Sequence, residues 1–305
     1  MVKERVLIGV SSFAEADERP LGRLRSAGLE VTPNPFGRRL TGPEVSELMA
    51  GDVVGLIAGL EPLDRGVLAG SRLRVISRVG VGLSNVDLDA ARELGIDVRS
   101  TPDAPTSAVA ELTLGAALAL LRGLPAMDAA MHDGRWERHL GTQLGSKTVV
   151  IVGFGRVGRR VAELLAPFGA RVLVADPNLD SSQTAGYPLL PLADALPQAD
   201  LVTLHASGED RLLDAGAFAA MKDGVFVLNA ARGALIDEGA LAAALDAGKV
   251  AGAWLDTFVE EPYSGPLRAY ASVLLTPHAG SNTRECRARM EAEAVDNLLE
   301  ALGKS

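Results

Sequence analysis

Short runs of β-branched and aliphatic residues recur along this chain, separated by stretches whose apolar positions fall at helical spacing. In the first hundred residues Val6-Leu7-Ile8-Gly9-Val10, Leu29-Glu30-Val31-Thr32, Val53-Val54-Gly55-Leu56-Ile57, Leu73-Arg74-Val75-Ile76 and Ile96-Asp97-Val98 read as strands. Between them, Leu21 to Ala27 reads as a short helix, and Val86 to Leu94 as another. Thr41 followed by Glu44 is a capping box that predicts a further helix start. Thr101-Pro102 marks a crossing into a second domain, which opens on a long helix from about Ala104 to Leu121. Six more strands follow, at Thr148–Val152, Arg171–Ala175, Leu201–Leu204, Val225–Leu228, Gly252–Leu255 and Val273–Leu275, with a helix from Leu241 to Ala247 closed by Gly248. Strands alternating with helices predict an α/β protein of two doubly wound parallel-sheet domains. A final helix, Thr283 to Leu302, carries Met290, Ala294, Val295 and Leu298 along one side and is expected to pack back on the first domain.

One stretch concentrates the candidate chemistry. Between the strands Thr148–Val152 and Arg171–Ala175, Gly153, Gly155 and Gly158 stand at G-x-G-x-x-G spacing, with Phe154, Arg156 and Val157 between them. Gly153 permits a tight turn, Gly155 lets backbone approach a pyrophosphate, and Gly158 lets helix pack on strand. The helix end that follows offers N–H groups and a positive dipole end to phosphate. Asp176 closes the second strand, where a carboxylate accepts hydrogen bonds from an adenosine ribose. Pro177 and Asn178 follow it, with no arginine for a 2′-phosphate, so NAD is expected rather than NADP.

Bulk composition narrows the alternatives. The chain has 305 residues, room for two domains, and its 48% hydrophobic and 23% charged residues are those of a globular protein. Aromatics are only 4%, so the cores must be built from Ala, Val and Leu. A net charge of −9 without a basic tract argues against nucleic acid and anionic membrane as partners. The single cysteine, Cys286, rules out an internal disulfide and fits a reducing compartment, where it reads as a packed helix residue. The opening residues read as a strand rather than a signal peptide, and the apolar stretch Ala108 to Leu121, interrupted by Glu111, is too short to cross a bilayer. A soluble, cytoplasmic protein is expected, with no metal site.

In open α/β sheets ligands sit beyond the carboxyl ends of the strands. The late strands end in Asn229-Ala230-Ala231-Arg232-Gly233, in Asp256 followed by Glu260-Glu261-Pro262, and in Thr276-Pro277-His278-Ala279-Gly280. A histidine, a carboxylate and an arginine at three strand ends can form a hydride-transfer site. Histidine exchanges a proton with a hydroxyl near neutral pH, a carboxylate holds the ring, and arginine clamps a substrate carboxylate. Of the other histidines, His205 at a strand end reads as lining the cofactor site, and His132 and His139 read as surface residues. In the first domain Arg78-Val79-Gly80-Val81-Gly82 follows a strand, and its glycines are expected to leave N–H groups free for an anion.

Taken in order, GFGRVG, NAARGALIDEGAL (Asn229 to Leu241), LDTFVEEP (Leu255 to Pro262) and TPHAGSNT (Thr276 to Thr283) resemble the NAD-dependent D-2-hydroxyacid dehydrogenases, which include the phosphoglycerate dehydrogenases. The likeness runs over nearly the whole length. It implies a Rossmann NAD-binding domain (101–282) inserted in a flavodoxin-like substrate-binding domain (1–100 and 283–305), with the active site in the cleft. It implies Arg232 as the substrate-carboxylate clamp, His278 as acid/base and Glu261 as its partner. It places Asp256 toward the nicotinamide amide and adds Thr106, Ala230 and Ala231 to the cofactor contacts. Val79 to Gly82 correspond to the family's carboxylate-binding loop and Arg78 to a substrate-binding arginine. The long helix near residue 110 corresponds to one that helps form a homodimer.

The departures bear on substrate. After His205 stands Ala206-Ser207-Gly208-Glu209-Asp210, shorter and more polar than the family's proline-containing loop. Ala58-Gly59-Leu60-Glu61 stands where phosphoglycerate-type members carry an arginine, so an added negative charge is expected to oppose a phosphate if it faces the cleft. Ser84 replaces the usual acid before Asn85-Val86-Asp87. The reaction implied is hydride transfer between NAD(H) and C2 of a D-2-hydroxy acid or 2-keto acid. The alternatives are an NAD(H)-sensing, corepressor-like binding protein and a 3-phosphoglycerate dehydrogenase specifically. Formate oxidation is disfavoured, because that branch has glutamine where Glu261 stands.

Overall fold

The computed structural model describes residues 3–304. The chain divides into two compact units, one containing the chain up to Pro105 together with Asn282 and the residues after it, the other running Thr106–Ser281. The parallel sheets expected from the strand-helix alternation are present in both.

The first unit carries five strands, β1 (Arg5–Ile8), β2 (Glu30–Thr32), β3 (Val53–Ala58), β4 (Val75–Arg78) and β5 (Asp97–Arg99), all parallel in the order β2-β1-β3-β4-β5. That is the flavodoxin-like doubly wound order, with its switch point between β1 and β3. The helix expected after Thr41 runs Gly42–Leu48, and the Thr41 backbone N–H donates to Glu44 Oε2 at 2.8 Å. The helix expected from Val86 starts later, at Leu88, because the Asp87 carboxylate accepts from Ala90 N at 2.8 Å and so fixes the cap. A short helix at Arg65–Ala69, capped by Asp64, has no counterpart among the expected elements. The C-terminal helix Arg284–Ala301 covers one face of this sheet. Met290, Ala294, Val295 and Leu298 are buried, and Leu298 lies over the bare Cα of Gly55 in β3. At about 1.5–3 kcal/mol for each large aliphatic side chain buried, that face is a major part of the unit's stability.

The second unit carries β6 (Thr148–Val152), β7 (Arg171–Ala175), β8 (Leu201–Leu204), β9 (Val225–Asn229), β10 (Val250–Leu255) and β11 (Val273–Leu275), again all parallel, in the order β11-β10-β9-β8-β6-β7. Beyond β7 a further strand is reduced to a single bridge between Val174 and Leu189, whose bonds run from Val174 N to Pro188 O and from Leu190 N to Val174 O. Pro188 and Pro191 cannot donate to a ladder, which limits the pairing to that bridge. Counting it, the sheet runs 3-2-1-4-5-6-7 from that edge, the 3-2-1-4-5-6 order of a dinucleotide fold with β11 added at the far side. One face is covered by the helices Thr106–Arg122 and Arg156–Leu165, the other by Ala215–Ala220 and Glu238–Asp246. His132, read as a surface residue, is exposed and ends a helix, Leu124–His132, that has no counterpart among the expected elements. Gly123 in the left-handed region (φ 62°) separates it from the long helix at an angle of 67°. Among the described residues no single helix is long and apolar enough to cross a membrane.

Candidate active site

The glycine loop is built as its spacing implies. Gly153 has φ 87°, and a Cβ there would strike the backbone of Ala206, so glycine is required both for the turn and for the close approach. Gly158 lies against the carbonyl of Gly153, the helix-on-strand contact, whereas a Cβ on Gly155 would meet only open space. The helix beginning at Arg156 and Val157 therefore points its positive end past an uncluttered Gly155. Phe154 differs from its expected role. Its side chain is turned into the core beside Tyr187 and under the Arg159 guanidinium, and its N–H donates to Asp176 Oδ2 at 2.9 Å. Asp176 Oδ1 also accepts from Asn178 N at 3.0 Å. A carboxylate has about four acceptor positions, so Asp176 keeps capacity for ribose hydroxyls while anchoring the loop.

His205 follows β8, its N–H bonded to Val152 O at 2.7 Å and its Nε2 2.9 Å from Thr203 Oγ1. Its Nδ1 is buried with no protein partner, and burial pushes its pKa down to about 3, so the ring is neutral at physiological pH. An orphaned polar atom beside the Gly153 turn, an uncluttered glycine and a carboxylate at the second strand end together fit a dinucleotide. Ala230 and Ala231 sit half-buried after β9, and Thr106 opens the long helix.

The arginine, acid and histidine are presented by three consecutive strand ends of this one unit. Asn229, fully buried at the end of β9, accepts from Ala231 N at 3.0 Å and donates to Arg232 O at 2.8 Å, which shapes the turn that carries Arg232. Gly233 is packed so closely on the backbone of Phe258 and Val259 that no Cβ fits, which ties the Arg232 turn to the loop bearing Glu261. That loop is itself braced. Tyr263 stacks on Phe258 at 4.1 Å between ring centres, and its hydroxyl donates to Glu238 Oε2 at 2.8 Å. Burial and the Glu238 carboxylate raise the Tyr263 phenol to about 12, so it stays protonated as a donor. Glu261 Oε1 accepts from Phe258 N at 3.1 Å. The Glu261 oxygens lie 3.0 and 3.2 Å from His278 Nδ1, so the carboxylate faces the ring with both oxygens. With Nδ1 directed at the acid, Nε2 is the nitrogen left to exchange a proton.

The resemblance assigns Asp256 to the nicotinamide amide. In the structure it is 1% exposed and both oxygens are engaged by the chain, Oδ1 by Thr276 Oγ1 (2.5 Å) and Ala279 N (2.8 Å), Oδ2 by Gly280 N (2.8 Å). It therefore holds the turn on which His278 sits. Asn229, Tyr263, Thr276 and Trp254 do not stand out in the sequence. The available signal is a polar residue ending or flanking an otherwise apolar strand.

In the first unit the expected anion loop is more closed than its glycines suggest. Val79 N donates to Ala58 O at 2.9 Å and Gly80 N to Thr101 Oγ1 at 2.8 Å, so neither is available to an anion, and Val81 and Gly82 are the donors that remain. Arg78 Nη1 donates to its neighbour's carbonyl on Val79, and its guanidinium lies over Gly80. Glu61, expected to project a negative charge if exposed, is 1% exposed instead. Both its oxygens accept from Gly59 N (2.9 and 3.0 Å), and desolvation pushes its carboxyl above the usual range against the pull of Arg78 and Arg39.

A parallel sheet with a glycine loop at its switch point, and an arginine, an acid-histidine pair and a braced loop at adjacent strand ends, define a nucleotide-dependent α/β protein. Residues 114–280 match the D-isomer specific 2-hydroxyacid dehydrogenase, NAD binding domain. D-3-phosphoglycerate dehydrogenase from Mycobacterium tuberculosis is 38% identical over 278 residues, 87% of this chain and 52% of that one. The chain spans about half the length of the curated relatives it matches. Among solved structures, the TT0316 protein from Thermus thermophilus is 39% identical, with TM-score 0.89 over 98% of this chain and 97% of that one. A glyoxylate reductase from Paecilomyes thermophila is 30% identical, with TM-score 0.88 over 99% and 96%. The chain belongs to the D-2-hydroxyacid dehydrogenase family, and its cofactor is NAD.

Proposed function

We propose that this protein interconverts a 2-keto acid and a D-2-hydroxy acid with NAD(H). The observation that carries the reading is the His278 Nδ1 pair with Glu261 at 3.0 and 3.2 Å, on strand ends of the unit that holds the glycine loop. NAD, when bound, supplies the acceptor or donor of the hydride at substrate C2. Gly153, Gly155 and Gly158 with the helix start at Arg156 and Val157 hold its pyrophosphate, and Asp176 its ribose. Arg232 clamps the substrate carboxylate through two parallel N–H donors. In the reducing direction His278 Nε2 gives its proton to the C2 oxygen, and in the oxidising direction it takes that proton back. Glu261 accepts from Nδ1–H and keeps the ring from rotating, which leaves Nε2 toward the substrate. Pairing of two copies and a cytoplasmic location belong to the same proposal.

For the substrate tail, the Arg78–Gly82 loop considered alone favours a non-phosphorylated acid. A phosphate dianion needs matched cations once desolvated. Arg78 is a single cation with one N–H given to the Val79 carbonyl, and no second cation stands in Ala58–Glu61. The buried Glu61 does not add repulsion, so the argument rests on missing cations. A second reading, oxidation of 3-phosphoglycerate, is favoured by the identity to enzymes of that name. Comparing kcat/KM for 3-phosphohydroxypyruvate, hydroxypyruvate, glyoxylate and 2-ketoglutarate decides between them. We expect a non-phosphorylated acid to lead. A tenfold lead for the phosphorylated compound establishes the second reading, and no NADH consumption with any of these acids counts against the enzymatic one.

Cofactor choice is a separate expected result. A 2′-phosphate placed at Asp176 meets a carboxylate fixed by two backbone N–H groups. Repulsion of about 1.4 kcal/mol gives tenfold, so NADH should exceed NADPH in kcat/KM by roughly tenfold or more. Asp176→Asn, which keeps an acceptor for Phe154 N–H, should narrow that ratio. Equal efficiencies in the wild-type protein would remove Asp176 as the selector.

A further inference from the structure

The turn bearing His278 is held in a conformation that side chains rarely adopt, with φ 51° at His278 itself. A non-glycine residue there costs of order 1–3 kcal/mol and persists only where its surroundings over-determine it. Here they do. His278 N donates to Thr276 O at 2.9 Å, and the residues on its C-terminal side, Ala279 and Gly280, both donate to the Asp256 carboxylate. A Cβ on Gly280 would crowd Asp256 Oδ2, so glycine is what admits the carboxylate. Behind Asp256 lies a further layer. Thr276 Oγ1 is 2.5 Å from Asp256 Oδ1, and Trp254, the largest fully buried side chain, directs its indole Nε1–H at the same hydroxyl at 2.9 Å. An indole N–H can only donate, so the threonine oxygen accepts from it and the threonine proton must go to the carboxylate. The direction of every bond in the series Trp254 to Thr276 to Asp256 is thereby fixed. The register of β10 on β11, with Trp254 opposite Leu274 and Leu255 opposite Leu275, sets the two strand ends at the height this series needs.

We propose that Trp254 and Thr276 are positioning residues for proton transfer, acting through Asp256 to hold His278 Nε2 on the line of transfer and Nδ1 on Glu261. The inference rests on His278 being the acid/base group. Without the hydroxyl, Asp256 Oδ1 loses one of its two donors, and the carboxylate can turn away from Ala279 and Gly280. The turn then relaxes from its left-handed conformation and the imidazole moves off the pair.

The test uses the full chain with Trp254→Phe, Thr276→Val and Thr276→Ser. Displacing a reacting group by about 1 Å costs on the order of a hundredfold. The first two variants should therefore lower kcat by roughly tenfold to a hundredfold, with KM for NADH and keto acid within about twofold and an altered pH profile of kcat. Thr276→Ser, which keeps the hydroxyl, should recover most of the loss. Thermal unfolding of all three is measured alongside. If Thr276→Ser loses as much kcat as Thr276→Val, or the wild-type pH profile survives in Thr276→Val, the proposal is overturned. Imidazole NMR of His278, identified by the signal lost in His278→Asn, reads its ring environment without turnover. A His278 signal and titration unchanged in both Trp254→Phe and Thr276→Val also overturns the proposal, even if no substrate has been found. A changed signal in a protein that turns over no keto acid supports the positioning and sinks only the assignment of the reaction.

Discussion

His278→Ala should lower kcat by roughly 10²–10⁴, the contribution of one positioned acid/base, while NADH binding is retained. The glycine loop, Asp176 and His205 are formed by other strand ends, so removing the imidazole leaves the dinucleotide contacts standing. Because position 278 lies at φ 51°, His278→Asn is the companion variant, since asparagine tolerates that region better than alanine. Both should lose activity to the same extent, whatever their difference in stability. Glu261→Gln should act more mildly, because the amide oxygen can still accept from Nδ1–H while the charge beside the ring is lost. NADH titration by fluorescence together with steady-state rates checks the set, and wild-type kcat in His278→Asn would take the histidine out of the mechanism.

Arg232→Ala is the second large effect. Two hydrogen bonds to a charged partner are worth about 1.5–3 kcal/mol each, so kcat/KM for the keto acid should fall by roughly 10²–10⁴. Arg232→Lys should lie between, because an ammonium keeps the charge but lacks the planar two-pronged donor set. Either change can remove the bond from Arg232 Nη1 to Ala231 O (2.8 Å), but the turn should survive, since Asn229 grips the backbone of residues 231 and 232. The diagnostic is an analogue in which an amide replaces the substrate carboxylate. It should lose most of its efficiency with the wild-type enzyme and little further with Arg232→Ala. A full second loss would mean that Arg232 serves something other than the carboxylate.

Much of this was legible from the residues because local physics and the fold agree. β-branched runs buried on both faces can hardly be anything but interior parallel strands, and a glycine loop between two of them has few other uses. The pairing of Glu261 with His278 rested on resemblance, since Glu260 stands beside Glu261 and spacing does not choose between them. Other features were not legible because they depend on which donors meet across the sheet. Nothing in Asp256 alone says that three donors from residues 276 to 280 will claim it. Whether Glu61 faces the cleft cannot be read from its neighbours in sequence, and it is buried in the grip of Gly59 N–H, with Gly9 leaving space for it. The glycines at 80 and 82 suggested open amides, but Thr101, distant in sequence, takes the one at 80. Helix Leu124–His132 carries no apolar stripe to announce it, because its apolar residues run all round, Leu124 and Met131 are exposed and only Ala130 is buried.

The helix Arg284–Ala301, which closes the first unit's sheet by laying Leu298 over Gly55, also fixes an order of events on the ribosome. The strands of that sheet are synthesised before residues 106–281, yet one of its faces has no cover until residues 284–301 have been made. The intervening unit, Thr106–Ser281, carries all of its own strands and can close while the earlier one waits. The earlier-born half is thus the later to mature, and in the interval it presents an uncovered apolar sheet to chaperones. Protease pulses on stalled nascent chains should find residues 106–281 resistant while residues 3–105 are still cut, and simultaneous protection of both would show that the first sheet closes without its last helix.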